Sequence, residues 1–356
     1  MKDGWGGAFY YHLACILEKK KGLFSPLLKS LSEIYRVYLS LRPSPSETLS
    51  LPLKVISVGN LTWGGTGKTP FVKYLAERLG EEKKVGIITT GFGGLKRMGI
   101  FSNGKKVFSS WQEGGDETHL LAENLPGIPV AFGRDRYALS LMLYRLWNLE
   151  VVVLDDAFQY RKIKKDADFL LLDARRPLGE GKLIPYGNLR ETWQAIGRAD
   201  AVILTKCNSP HIDEDTIEFL KKAFPSLPFL RVYHHPLFFE GSQGRYPSSW
   251  IGGREIVTLS SIGDPVYFEE TLKIMGGEII HSLRFPDHYP YQEEELEILL
   301  GAVSREGISI ITTEKDYLRI PPSVWDKFPL YYLKVELSFL EGEEILWEIL
   351  KEKGIF

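Results

Sequence analysis

Cysteine is nearly absent from the chain: Cys15 and Cys207 are the two in 356 residues. They are too few and too far apart for a disulfide framework or a cysteine-rich zinc site, and their scarcity fits a reducing cytosol. Long apolar runs are missing too. Ala8 to Leu17 covers ten residues and includes His12, about half of the roughly 20 that a membrane-spanning helix needs. No basic flank precedes this run and no small-residue cleavage site follows closely, so neither a transmembrane segment nor a secretory signal is expected. Net charge is also small, 44 basic against 46 acidic residues giving −2, so the total gives no reason to expect nucleic acid as a partner.

What remains is an ordinary folded composition, 44% hydrophobic and 25% charged, in a chain longer than one core usually organises. The charge is uneven. The first 45 residues carry +4, including Lys19, Lys20, Lys21, Lys29 and Arg36, and leave −6 for the rest. Ser25-Pro26 reads there as an N-cap and first helical position, and Phe24, Leu27, Leu28, Leu31, Ile34, Tyr35, Tyr38 and Leu41 recur at helical spacing. An amphipathic helix is expected over 26–42, ended by Pro43-Ser44-Pro45-Ser46.

Beyond it, short apolar runs alternate with helical stretches, the pattern of a parallel sheet covered by helices. Strands are predicted at 54–58, 84–89, 130–132, 150–154, 169–172 and 201–205, with helices at 68–80, 116–125, 135–148 and 212–224. A second series has strands near 229–233, 255–260, 278–283, 308–312 and 330–335 and helices near 265–275, 291–305 and 342–353. The expected architecture is α/β: an N-terminal amphipathic segment (1–50), a nucleotide-binding domain on a parallel sheet (51–235) and a smaller α/β domain (236–356), connected through 236–252.

Leu53 to Leu75 carries the chemistry: an apolar strand runs into a glycine-rich turn and then a helix. Gly64, Gly65 and Gly67, with Thr66 between them, let backbone N–H groups approach phosphate oxygens, and the helix beginning near Lys68 turns its positive end to them. Lys68 suits the β and γ phosphates and the Thr69 hydroxyl suits Mg²⁺. The GxxxxGK[ST] pattern is incomplete, because Thr62 stands at the first glycine position. Thr205-Lys206-Cys207-Asn208 follows a strand like a guanine-reading motif, but Asn208 lacks the carboxylate that accepts the guanine protons, which favours ATP. A second apolar strand ends in Asp155-Asp156, where a phosphate-loop enzyme holds its metal. Asp116, opening a predicted helix after Gly114-Gly115, reads as an N-cap when taken alone, and His288 lies between breakers in a loop. A carboxylate and a histidine from separate segments also suit the base that a kinase needs to deprotonate an acceptor hydroxyl.

These motifs together resemble the tetraacyldisaccharide 4′-kinases of lipid A synthesis. The likeness runs through SVGNLTWGGTGKTP (57–70), GDE (115–117), LDDAFQ (154–159), LLDARRPLGEGKLIPYGNLRE (171–191), IGDP (262–265), FPDHY (285–289) and TTEKDYLRI (312–320). It implies transfer of the γ-phosphoryl of ATP, with Mg²⁺, to the 4′ hydroxyl of an acylated glucosamine disaccharide 1-phosphate. It also implies that Lys68 and Thr69 serve phosphates and metal, that Asp155 and Asp156 are functional acids, and that Asp116 with His288 forms the catalytic pair. Glu117, Gln159, Arg190 and Glu191 then line the site, Arg190 offsetting phosphate charge and Glu191 near the metal, while Arg136 holds the substrate's own phosphate. Ala157 and Tyr160 depart from the family's usual DDGFQH, and Thr90 stands where an arginine is usual, so that Lys96 or Arg97 is expected to replace that cation.

A lipid-borne substrate gives the basic amphipathic helix a role at an anionic membrane surface, and places the protein on the cytoplasmic face of the inner membrane of a Gram-negative bacterium. Two other readings share the phosphate loop: a regulatory or metallochaperone ATPase, and a membrane scaffold that binds nucleotide without chemistry. Trp63 stands where such ATPases carry a lysine, and no Cys/His cluster is present to carry a metal cargo.

Overall fold

Runs of Val, Ile and Leu without polar alternation suit strands covered on both faces, and the computed structural model arranges them in that way. It describes residues 21–41, 48–305 and 307–356. The apolar run Ala8 to Leu17, Lys19, Lys20 and the Pro43–Ser46 linker lie outside the described residues. The chain divides into two compact units, one of residues up to Tyr233 together with Phe339–Phe356, the other of His234–Ser338.

Among the described residues the first unit opens with helix α1 (Lys21–Leu41). Its expected start at Ser25-Pro26 is not observed; Pro26 lies inside the helix, which forgoes one N–H bond there. Strand β1 (Lys54–Asn60) then leads to α2 (Lys68–Gly80), β2 (Val85–Thr89), β3 (Met98–Ser102) and α3 (Asp116–Asn124). Next come β4 (Val130–Gly133), α4 (Arg136–Trp147), β5 (Val151–Leu154), β6 (Ala167–Asp173), β7 (Ala201–Thr205), α5 (Glu214–Ala223) and the start of β8 (Phe229–Gly241). The strand order is β8-β7-β6-β1-β5-β2-β4-β3. All neighbours are parallel except β3, an antiparallel edge on β4.

Buried residues recur at helical spacing on α2, with Phe71, Val72, Leu75, Ala76 and Leu79 covering the sheet. The chain leaves β1 for β2 on one side and later crosses to β6 on the other. Such a reversal opens a crevice at the strands' carboxyl ends, where ligands bind in open α/β sheets.

The second unit holds the rest of β8, β9 (Gly244–Pro247), β10 (Glu255–Ser260), α6 (Pro265–Ile274), β11 (Glu278–Arg284), α7 (Glu293–Val303), β12 (Ser309–Thr313) and most of β13 (Leu330–Glu341). Here β10 lies between β11 and β12, both parallel to it, and β13 continues parallel to β12. Alternate strand residues face opposite sides: Val257, Leu259 and Ile310 join Leu296 and Leu300, while Ile256 and Ile311 join Phe268 and Leu272.

The segment 236–252, read from sequence as a connection, is a hairpin followed by a short 3-10 turn: β8 runs on through Pro236 to Gly241 and pairs antiparallel with β9, and Ser248–Ile251 follows as the 3-10 turn. The C-terminal helix α8 (Glu343–Glu352), expected in the second domain, belongs to the first unit. Its anchor is Tyr74, whose ring lies 5.2 Å from Phe339 and 6.2 Å from Trp347 and whose hydroxyl donates to Glu343. Lys54 donates to the Lys353 carbonyl at 2.8 Å. The apolar stripe of α8 was legible as helix, but periodicity does not say which sheet a stripe covers.

Candidate active site

The loop between β1 and α2 occupies the crevice at the end of the central strand. Gly64 and Gly67 take left-handed φ values of 124° and 77°, which favour glycine. A Cβ on Gly59 would lie 2.6 Å from Phe158, so only glycine lets β1 pass the turn after β5. Asn60 is buried and its amide staples the loop, donating to the Thr62 carbonyl at 2.7 Å and the Thr66 hydroxyl at 2.9 Å. Gly67 precedes α2 and no side chain among the described residues caps that helix, which leaves its first N–H groups for an anionic ligand.

The two acids after β5 face different surroundings. Asp156, at φ 51°, receives Arg190 at 2.6 and 3.3 Å and has Lys68 Nζ at 3.8 Å. Burial opposes its ionisation, but Lys68 and Arg190 outweigh it and hold the carboxyl well below the usual range. Asp155 is 2% exposed, and its Oδ1 has no hydrogen-bond partner among the described residues. Burial, with the negative charge of Glu117 adding to it, pushes Asp155 up to about 7.

Arg190 also donates to Asn60 Oδ1 at 3.2 Å, and the Gln159 amide donates to the Asn60 carbonyl at 2.8 Å. Lys68, Asp156, Arg190, Asn60 and Gln159 therefore form one connected group at the phosphate loop.

Two expected site residues are held by neighbouring groups of the protein. Arg136, read as a holder of substrate phosphate, is 5% exposed; its guanidinium donates to the carbonyls of Asp155 and Asp156 at 2.8 Å and lies 5.1 Å from the Tyr160 ring. It braces the turn that presents the acids. Glu191, expected near a metal, is held by Arg198 at 2.7 and 3.0 Å. Lys96, suggested as a substitute cation, pairs with Glu113 at 2.8 Å on the surface.

Asp116 is buried as the first residue of α3, and its Oδ1 accepts from the Glu117 N–H at 2.8 Å. The N-cap position belongs to Gly115 at φ 89°, where a Cβ would meet the Phe92 carbonyl at 2.5 Å.

In the second unit His288 takes φ 62°, with Nε2 3.5 Å from Lys315 Nζ and 3.7 Å from Asp287 Oδ2. The loop around it is fixed by Ser261, whose hydroxyl donates to the Pro286 carbonyl at 2.6 Å and accepts from the Tyr289 N–H at 2.7 Å. Asp316 holds Ser261 in turn, accepting its N–H at 3.1 Å.

Sequence reasoning missed the loop's support. Lys206, weighed only within a guanine-reading motif, is buried with Nζ 2.7 Å from the Gly65 carbonyl and 2.8 Å from Asp173 Oδ2. A lysine directly after a buried strand was the available signal. Arg175 also grips Asp173 at 2.7 Å, and these cations keep that carboxyl low despite its burial.

Comparison with known proteins decides the lineage. Residues 24–354 match the family model described as Tetraacyldisaccharide-1-P 4′-kinase. The chain belongs to the tetraacyldisaccharide 4′-kinase family. Curated family members include one from Halothermothrix orenii, 31% identical over 92% of each chain, and one from Syntrophus aciditrophicus, 34% identical over 94% of this chain and 95% of that one. The crystal structure of LpxK from Aquifex aeolicus in complex with ATP aligns with a TM-score of 0.69 at 30% identity, covering 96% of this chain and 99% of that one. As a member of this kinase family the protein is an ATP-dependent phosphotransferase of lipid A biosynthesis.

Proposed function

We propose that the group around the phosphate loop transfers the γ-phosphoryl of ATP to the 4′ hydroxyl of an acylated glucosamine disaccharide 1-phosphate, with Asp116 as base and His288 as the other half of the catalytic pair. The backbone of Gly64, Gly65, Thr66 and Gly67 cradles the phosphates, while Lys68 and Arg190 offset their charge. The 4′ oxygen attacks the γ-phosphorus, its proton passes to Asp116, and the bond to the β–γ bridging oxygen breaks to release ADP.

The observation that carries this reading is the unpartnered Asp155 oxygen next to Asp156, which itself pairs with Lys68. A buried carboxylate oxygen without a donor fits a cation. Among the described residues no cluster of three or more His, Cys, Asp or Glu forms a closed metal cage. Mg²⁺ is commonly bound through one or two carboxylates plus substrate phosphates. Thr69, Asp155 and Asp156 would hold it, with Glu117 nearby; when bound, the ion neutralises charge on the transferring phosphate.

The surface of α1 supports membrane contact. Its inner edge is the buried Leu28 and Ser32 with the half-buried Tyr35 and Leu39, and a separate stripe of Phe24, Leu27, Leu31, Ile34, Tyr38 and Leu41 is exposed. No helix among the described residues is long and apolar enough to cross a membrane. The stripe is suited to lie among acyl chains, with Lys29 at the headgroups, on the cytoplasmic face of the inner membrane where ATP is supplied.

The test is incubation with ATP, Mg²⁺ and the lipid disaccharide 1-phosphate, followed by mass spectrometry of the lipid. A gain of one phosphate is expected. ATP hydrolysis with an unchanged lipid mass would instead select an ATPase, and no turnover of either a nucleotide-binding scaffold.

A further inference from the structure

The segment 183–190 lies between α1 and the phosphate loop and touches both. On the loop side, Arg190 N–H donates to the Leu61 carbonyl at 2.7 Å, Trp63 N–H donates to the Asn188 carbonyl at 2.7 Å, and Thr62 bridges Leu189 in antiparallel fashion. Leu183 and Leu189 are buried in one cluster with Leu61, against which Tyr35 and Leu39 pack. On the helix side, the Ser32 hydroxyl donates to the Leu183 carbonyl at 2.9 Å and accepts from the Tyr186 N–H at 2.9 Å, clasping both ends of one turn. Tyr35 Oη donates to the Arg190 carbonyl at 2.9 Å. Ser32 is 6% exposed, so water does not replace its partners easily.

We infer that Ser32 and Tyr35 are positioning residues for the ATP phosphate loop, so that α1 is part of the nucleotide site's scaffold as well as the bearer of an apolar surface stripe. Arg190 is the link. Its backbone is fixed from two sides, by Tyr35 on its carbonyl and Leu61 on its N–H, and its guanidinium reaches Asp156 and Asn60, the residues that set the charge and shape of the loop. Loss of the Tyr35 hydroxyl frees one end of that residue. A bidentate guanidinium needs a fixed stem, because small displacements cost both of its bonds. The two functions of α1 lie on different edges of the helix and are therefore separable by mutation.

The inference rests on ATP binding at this loop, and the experiment tests that premise alongside it. Full-length protein is titrated calorimetrically with ATP and Mg²⁺ in the absence of lipid, and KM values for ATP and lipid are measured in the lipid assay. Tyr35→Phe, which removes one hydrogen bond, is expected to weaken ATP about five-fold, and Ser32→Ala with Tyr35→Phe, which removes three, by at least about twenty-fold. The KM for lipid stays near that of the wild type. Leu31→Ser with Ile34→Ser, on the exposed stripe, leaves ATP affinity unchanged. A double variant at Ser32 and Tyr35 that binds ATP like the wild type overturns the inference. So does one in which ATP affinity and kcat fall and lipid KM rises in parallel with a falling melting temperature, since that is a purely structural role. If Lys68→Ala fails to weaken ATP, the phosphate-loop reading falls and this inference falls with it.

Discussion

Asp155 and Asp156 are neighbours in the chain and hold opposite protonation preferences, the first pushed up to about 7 by burial and Glu117, the second held low by Lys68 and Arg190. The turn after β5 produces this: with Asp156 at φ 51°, the two side chains leave in different directions, Asp155 into a buried setting and Asp156 toward the cations of the phosphate loop.

The pair makes a pH prediction for the ligand-free protein. Asp155 titrates near 7 when folded and at about 3.9 when unfolded. The folded state therefore holds the extra proton between these values. Stability from this group is fully present below the unfolded value and is lost as pH rises through about 7. Asp156 acts oppositely, its contribution present above the unfolded value and lost as pH falls below it. Asp155→Asn is expected to raise the melting temperature at pH 8, to give little gain near pH 4, and to abolish phosphoryl transfer. Thermal melts at the two pH values check this; an equal gain at both would remove the buried charge as the cause.

Asp116 and Lys68 should separate by the step they affect. Asp116→Ala removes the proposed base without touching the phosphate loop, so turnover should fall by at least about a hundred-fold, in the usual range for general base catalysis, with ATP affinity near normal. Lys68→Ala removes a cation paired with Asp156 and should weaken both ATP binding and turnover. Calorimetry with ATP and initial rates in the lipid assay distinguish the two patterns; full activity in Asp116→Ala would end its assignment as the base.

Much of this site was legible because its signals are local. The run Val55 to Val58, the glycines at 64, 65 and 67, and the acids after Leu154 each declare their structure within a few residues. The strands and helices of the sheet followed for the same reason, except β9, which is short and polar, and β3, whose apolar residues are interrupted by Gly99. The illegible parts are long-range. Lys206 meets Gly65 across 141 positions, Tyr35 meets Arg190 across 155, and Tyr74 meets Glu343 across 269. Periodicity carries no information about which surface a side chain finds at such separations. Pro236, between histidines and aromatics, likewise suggested a connection, where tertiary pairing with β9 keeps the strand going.

The exposed stripe of α1 predicts vesicle binding that depends on apolar area and charge separately. Leu31 and Ile34 are 43% and 66% exposed, and each buries additional surface only if lipid covers it. Leu31→Ser with Ile34→Ser should reduce partitioning into anionic phospholipid vesicles by at least about ten-fold. Added salt should weaken binding of the wild type by screening Lys29 and its basic neighbours. Cosedimentation measures both, and binding indifferent to both changes would mean that α1 does not face the bilayer.

In the second unit the loop that carries His288 is anchored by the Asp316 carboxylate. Asp316 is fully buried and accepts from Ser261 N–H and Tyr291 Oη at 3.1 Å, from Thr313 Oγ1 at 2.7 Å and from Arg319. Ser261 then holds Pro286 and Tyr289 on either side of His288, and Arg319 donates to the Ser261 carbonyl at 2.9 Å. Asp316→Ala would strand the Arg319 guanidinium, 3% exposed, without its countercharge. Breaking a buried pair in this way costs about 3–5 kcal/mol. Asp316→Asn keeps the shape and some acceptors, and should cost less while still loosening the His288 loop. The expected result for Asp316→Asn is lower kcat with ATP affinity unchanged and faster amide exchange at Ser261 and Tyr289. Normal exchange at those two amides would show that the loop is held by other contacts.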